Sequence, residues 1–189
     1  MKLPLPSLPL AAIITVIWIC PSLAQQDLHA DTPTTSSPFK FSRLQVEEAA
    51  LPGSKKKWTK IICSFTSPLE WVDGLSFNFI ALVGKESSEK SLRIISGGET
   101  YMNVPCGESK AIMYMSANAT TRFGQPVAVK VDIYRGDLQV GTYTWTNGQV
   151  SLPTDWTNKY STFEGILQPM RFTPWLLIDS DKTPDASTY

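Results

Sequence analysis

The sequence predicts an all-β domain, an immunoglobulin-like antiparallel β-sandwich of about eight to nine strands. Turn signals recur along the chain at Pro52-Gly53, Asp73-Gly74, Gly97-Gly98, Pro105-Cys106-Gly107, Phe123-Gly124-Gln125-Pro126, Gly136-Asp137 and Asn147-Gly148. The segments between them are short, rich in β-branched and aromatic residues, and several alternate apolar with polar side chains. No long helical pattern and no internal repeat competes with that reading.

The amino terminus reads as an export signal. Lys2 gives a positive start, Leu10 to Ile19 is an apolar run too short to span a bilayer, and Pro21 breaks it. Ser22-Leu23-Ala24 supplies the small residues of a cleavage site, so residues 1–24 are the expected signal peptide. Cys20 follows the bulky Ile19, which argues against a lipoprotein signal. Residues 25–38 are polar and end in Thr32-Pro33-Thr34-Thr35-Ser36-Ser37-Pro38, a flexible lead-in. Residues 39–178 form the expected sandwich, and residues 179–189 a flexible tail.

Phe39 to Glu48 is the expected first strand. Trp58 to Ser67 places Ile61, Cys63 and Phe65 on one face, and Leu75 to Val83 does the same for Phe77, Phe79 and Ala81. Leu92 to Ser96, Glu99 to Val104 and Lys110 to Met115 are shorter strands. Val127, Val129, Val131 and Ile133 then alternate with Ala128, Lys130, Asp132 and Tyr134, and Gly136-Asp137 fits a type II′ hairpin turn. Pairing across that turn sets Ile133 opposite Val140, Val131 opposite Thr142 and Val129 opposite Thr144. Tyr143 and Trp145 then point away from the valine face, beside Lys130. Glu164 to Leu167 and Trp175 to Ile178 are the expected last strands.

Charge is balanced, with 17 Lys plus Arg and 17 Asp plus Glu. No basic stripe or polybasic cluster speaks for nucleic acid or a stable membrane association, and Lys55-Lys56-Lys57 reads as a solvated turn. The only histidine, His29, lies in the lead-in, so the domain lacks a Ser-His-Asp or Cys-His arrangement. No HExxH, CxxC or calcium-loop pattern occurs; no catalytic residue, cofactor or metal is expected. Asp132, Asp155 and Glu164 are the carboxylates left for a hydrolase, and each reads more simply as solvated.

Once Cys20 leaves with the signal, Cys63 and Cys106 remain, which permits one disulfide or a buried thiol beside an exposed one. Trp71 and Trp175 flank strands and read as core. Trp145 with Tyr143, and Trp156, are the candidate interaction surface; in a carbohydrate-binding or adhesion module they would be the stacking platform. Arg135-Gly136-Asp137 matches an adhesion-type motif, although a hairpin turn favours Gly-Asp in any case. Asn118-Ala119-Thr120 is a glycan acceptor pattern that matters only in a eukaryotic host.

Three segments resemble a known family: Leu69-Glu70-Trp71-Val72-Asp73-Gly74-Leu75-Ser76-Phe77, Thr121-Arg122-Phe123-Gly124, and Phe172-Thr173-Pro174-Trp175. The family is that of exported, pilus-like bacterial proteins found with type IV pilus genes in mucin-associated gut bacteria and their relatives. The resemblance runs from Phe39 to Ile178, with Trp71, Asp73, Arg122, Phe123, Gly124, Thr173, Pro174 and Trp175 as its motif positions. It implies an immunoglobulin-like fold and a structural or assembly role at the periplasm or outer cell surface. Protein partners in the envelope or pilus system, including a second copy of the chain, follow from it, and no catalytic residue does. One departure matters: a prepilin has a long hydrophobic assembly helix, whereas Gln25-Gln26-Asp27 opens a polar stretch. The chain is therefore not expected to enter a filament as an ordinary pilin subunit.

The expected function is that of a non-enzymatic, exported structural or assembly protein, with a carbohydrate-binding or adhesion module and a carboxylate-based hydrolase as alternatives. Export has a direct check: amino-terminal sequencing of the exported protein should begin at or near Gln25. A protein recovered from the envelope that still begins at Met1 would refute the signal.

Overall fold

The structure, a computed structural model, describes residues 38–85, 91–148, 152–179 and 183–184. The signal peptide, nearly all of the lead-in and most of the expected tail lie outside the described residues. Within them the chain forms β1 (Lys40–Ala50), β2 (Lys57–Val72), β3 (Leu75–Gly84), β4 (Arg93–Tyr101), β5 (Val104–Met115), α1 (Ala117–Phe123), β6 (Gln125–Arg135), β7 (Leu138–Thr146), α2 (Trp156–Lys159), β8 (Thr162–Phe163), β9 (Leu167–Pro169) and α3 (Leu176–Asp179).

The strands make two sheets, ordered β1-β2-β5-β9 and β7-β6-β3-β4-β8. All pairings are antiparallel except that of β4 with β8. This is the expected all-β sandwich, and its core lies where two strand periodicities face each other. Leu75, Phe77, Phe79 and Ala81 of β3 are fully buried against Ile61, Cys63 and Phe65 of β2. Phe65 and Phe77 meet with ring centroids 5.1 Å apart, and Tyr101 meets the edge of Phe77 at 5.6 Å.

Several expected boundaries move, each for a physical reason. Gly97-Gly98 is no turn; both residues lie inside β4, which joins two expected strands. A side chain at Gly97 would collide with the backbone carbonyl of Leu167, so the glycine lets β9 of the other sheet pass close by. The chain instead turns at Met102-Asn103, with Asn103 at φ 52°. Pro105-Cys106-Gly107 is also strand, within β5 and opposite an irregular stretch of β2 between Ser67 and Trp71. The expected strand Trp175 to Ile178 is a helical turn, α3, and Glu164 lies in a turn before β9. Phe123-Gly124 ends a helix: Ser116 Oγ accepts from Ala119 N at 3.2 Å to start α1, and Gly124 N–H donates to Thr120 at 2.9 Å to end it.

The β6–β7 hairpin forms at the expected place, with Gly136 at φ 58°. Its register differs by one residue. A bulge between Ile133 and Tyr134 pairs Ile133 with Gly141, Val131 with Tyr143 and Val129 with Trp145. The extra residue on β7 brings Tyr143 and Trp145 onto the valine side, where they pack against the core. Val127 leaves that face at a second irregularity, opposite Leu82 and Val83, and packs instead in an outer cluster.

Each outer face is covered in part by a tryptophan. Trp156 of α2 packs with Leu82, Leu92, Ile94 and Ala128 outside the five-stranded sheet. Trp175 packs with Ile62, Ile112 and Tyr114 outside the four-stranded one.

Adjacent substitutions in β6 test the strand. Val131 is fully buried, whereas Lys130 lies on the outer face, 2.9 Å from Asp132 Oδ2. Val131→Asp should cost about 3 kcal/mol or more by burying an unpaired charge, and Lys130→Ala about 1 kcal/mol or less. Urea denaturation compares them, and equal losses would overturn the assignment of faces.

Candidate functional site

After Ile166 the chain becomes a strap that ties the two sheets together. β9 pairs with β5 through Met113–Pro169 to Met115–Leu167 and passes close to Gly97 of β4. In the following 3-10 turn, Met170–Phe172, Arg171 Nη2 stands 3.1 Å from Glu99 Oε1 of β4. Burial raises the Glu99 carboxyl above the usual carboxylate range, and the Arg171 charge opposes that rise. Thr173 Oγ1 donates to the Met170 carbonyl at 2.8 Å and accepts from Trp175 N at 3.2 Å, which sets the entry to α3. The Trp175 ring stacks on Tyr114, with centroids 5.5 Å apart and planes 6° off parallel.

Asp179 ends the strap and is not part of a flexible tail. It is buried, and its Oδ2 accepts from Lys60 Nζ at 2.7 Å and from the Tyr114 hydroxyl at 2.6 Å. Burial, then the hydrogen bond to Asp179, raises the Tyr114 phenol well above its ordinary range, so it stays a donor. An ammonium as buried as Lys60 is costly without a partner, and Asp179 supplies one. The sequence carries a signal for this pair: Lys60 precedes Ile61-Ile62 within a strand, and Asp179 follows Leu176-Leu177-Ile178. The partnership itself joins positions far apart in the chain and has no local signature.

The same strap carries the most exposed apolar side chains described. Leu177 is 90% and Phe172 68% exposed, with Leu176 and Ile178 beside them at 41% and 42%. Four such residues within one short segment are a local concentration of exposed apolar side chains rather than scattered surface hydrophobics.

The sequence-derived site residues scatter. Trp156 is 5% exposed and forms core, not surface. Trp145 and Tyr143 are partly buried against the core, with Tyr143 5.0 Å from Phe41, so the three aromatics make no exposed platform. Trp71, expected in the core, is 65% exposed; the irregular pairing after Ser67 turns Val72 inward in its place, opposite Val104. Trp175 is core as expected. Asp73 Oδ1 accepts from Asn103 N at 2.9 Å and so braces the β4–β5 turn. Arg122 lies over the Phe123 ring at 5.0 Å, and Phe123 meets Phe163 at 5.4 Å. Thr173 is buried and Pro174 exposed. Among the motif positions of the family resemblance, those with described contacts hold turns and covers in place.

The carboxylates do not converge. Asp132 accepts from Thr142 Oγ1 at 2.7 Å and Gln139 Nε2 at 3.1 Å beside Lys130, while Asp155 and Glu164 are exposed in separate turns. Among the described residues no group of three or more His, Cys, Asp or Glu is placed to hold a metal ion. Among them, too, no helix is long and apolar enough to cross a membrane. Arg135, Gly136 and Asp137 are all exposed at the β6–β7 tip.

Of the two cysteine arrangements the sequence permits, the structure has the buried free thiol, Cys63, beside an exposed one, Cys106. Cys63 pairs in register with Ala111, which places Cys106 about 16 Å away along β5, far outside bridging distance.

These features define a class, a two-sheet β-sandwich closed by a carboxy-terminal strap. The same fold occurs in a crystal structure of a protein from Akkermansia muciniphila, with a TM-score of 0.61 and 20% identity over 84% of this chain and 100% of the other. No protein-family model matches the sequence, and no curated protein matches it.

The thiols give a test. Burial pushes the Cys63 thiol up to about 12, so it stays protonated and shielded. Iodoacetamide should modify Cys106 in the native protein and Cys63 only after unfolding, and mass spectrometry without reductant should show no link between them. A Cys63–Cys106 peptide would overturn the strand register.

Proposed function

We propose that the chain is a non-enzymatic, exported structural or assembly protein of the cell envelope, pilus-like in its domain, acting through protein–protein contact. The observation that carries this reading is the concentration of exposed apolar side chains at Phe172, Leu176, Leu177 and Ile178. Exposed apolar clusters of that kind mark sites of association. Its placement on the strap supports the reading further. Glu99–Arg171, Lys60–Asp179 and the Trp175 stack hold the segment in place, so presenting those side chains requires little ordering on binding. The scattered carboxylates favour contact over hydrolysis. The resemblance to pilus-like proteins points to partners in the envelope or pilus system, a second copy of the chain among them.

A photo-crosslinking residue at Leu177, introduced into the full chain in its native envelope, should link to a protein partner or to a second copy. The same residue at exposed Thr144, on the other sheet, should not. Leu177→Asp should weaken that association about tenfold or more, as loss of a central apolar anchor does, without changing the melting temperature. Equal crosslinking at both positions, or none at Leu177, would refute the contact surface.

A further inference from the structure

One residue of the turn-like glycine pair, Gly98, and two of the adhesion-like tripeptide, Gly136 and Asp137, line one groove. The outer face of the five-stranded sheet holds a groove of about 560 Å³, within the range of small-ligand sites. Its floor is two cross-strand rows. Tyr134, Ser76 and Thr100 lie in register across β6, β3 and β4, and Asn78 and Gly98 lie in the next row. Ser76 Oγ and Thr100 Oγ1 are 2.8 Å apart. Gly98 keeps the floor open: a Cβ there would stand 2.9 Å from Asn78 Oδ1 and 3.1 Å from the Phe77 carbonyl. Asp137 of the β6–β7 tip lines one end, and Arg171 of the strap lines the other. Two inter-strand spacings separate β6 from β4 across the floor, about 10 Å, the length of about two pyranose rings.

We propose that this groove binds a neutral, polyhydroxylated ligand, a short oligosaccharide lying across β6, β3 and β4. Charge decides against an anion: Glu99 already neutralises Arg171, and Asp137 adds a negative charge at the rim. The floor presents hydroxyl, phenol and amide groups, and serine, threonine and tyrosine hydroxyls both donate and accept. Sugar hydroxyls do the same, whereas a purely apolar ligand would leave the floor unpaired. Tyr134 adds an aromatic side chain to the lining. Glu99 serves as a positioning residue, holding the guanidinium at the rim, where it also lies over the Phe172 ring at 4.9 Å. The site does not use Trp145 or Trp156 and does not depend on the protein contact proposed above at Leu177.

The test uses the full exported chain on an array of neutral and acidic glycans, followed by NMR titration with the neutral glycan that binds best, with inorganic phosphate and with triglycine. The neutral glycan should shift the amide signals of Asn78, Gly98 and Thr100. Thr100→Val, which removes one hydroxyl at nearly constant shape, should weaken binding about three- to tenfold. Gly98→Val, which fills the floor, should abolish it, and unchanged melting of Thr100→Val covers the case in which Gly98→Val fails to fold. Silence across the neutral glycans would overturn the proposal. So would binding confined to acidic glycans, phosphate or triglycine, or neutral binding that Thr100→Val leaves unchanged.

Discussion

Closure of the sandwich along the β4–β9 seam is the constraint on which the rest of the structure depends. A short strand of one sheet passes against β4 of the other, beyond the stretch of β4 that β8 covers, and their backbones come so close that Gly97 is required. Opposite, β1 and β7 meet through Phe41 and Tyr143. With both sides closed, the apolar faces of β2, β3 and β6 are sealed between two edges. The seam also fixes where the last residues of the strap go. Arg171 is brought to Glu99, Trp175 to Tyr114 and Asp179 to Lys60.

The two ion pairs, each built on a buried carboxylate, are better understood as locators than as sources of stability. Removing charges from water offsets much of their attraction, so a buried pair contributes little net stabilisation. Misplacing one partner is costly, however, because the other is then left buried and alone. Lys60–Asp179 and Glu99–Arg171 therefore select one position for the strap among many that an apolar contact alone would permit. That selection leaves Leu177 in solvent and puts Arg171 at the rim of the groove. A single folding constraint thus positions both proposed surfaces.

The two outer faces are completed differently. Trp156 and Trp175 each cover an apolar patch that a bare sheet would expose. What stays open on the five-stranded sheet is the polar stretch around Asn78 and Thr100. A sandwich with both faces fully covered would have no room for a ligand, and one with neither covered would expose Ile94 and Ile112 to association.

The sequence by itself determined what depends on the pleat. Side chains alternate with a period of two whatever the partner strand is, so the inward faces of β2, β3 and most of β6 were legible from residues such as Ile61, Phe77 and Val131. The turn at Gly136 was legible too, because a two-residue hairpin needs a positive φ at that position. Tertiary structure alone decided register, coverage and pairing. The bulge at Ile133–Tyr134 reverses the faces of Tyr143 and Trp145, and whether a bulge forms is settled between two strands, not within one. Gly97 reads as a turn until the carbonyl of Leu167, seventy positions later, explains it as clearance. Trp71 and Trp156 exchanged their expected places because aromatic residues fill whichever cover or edge the fold presents. Asp179 reads as tail because the ammonium that holds it belongs to a strand more than a hundred residues earlier, and no local pattern encodes that distance.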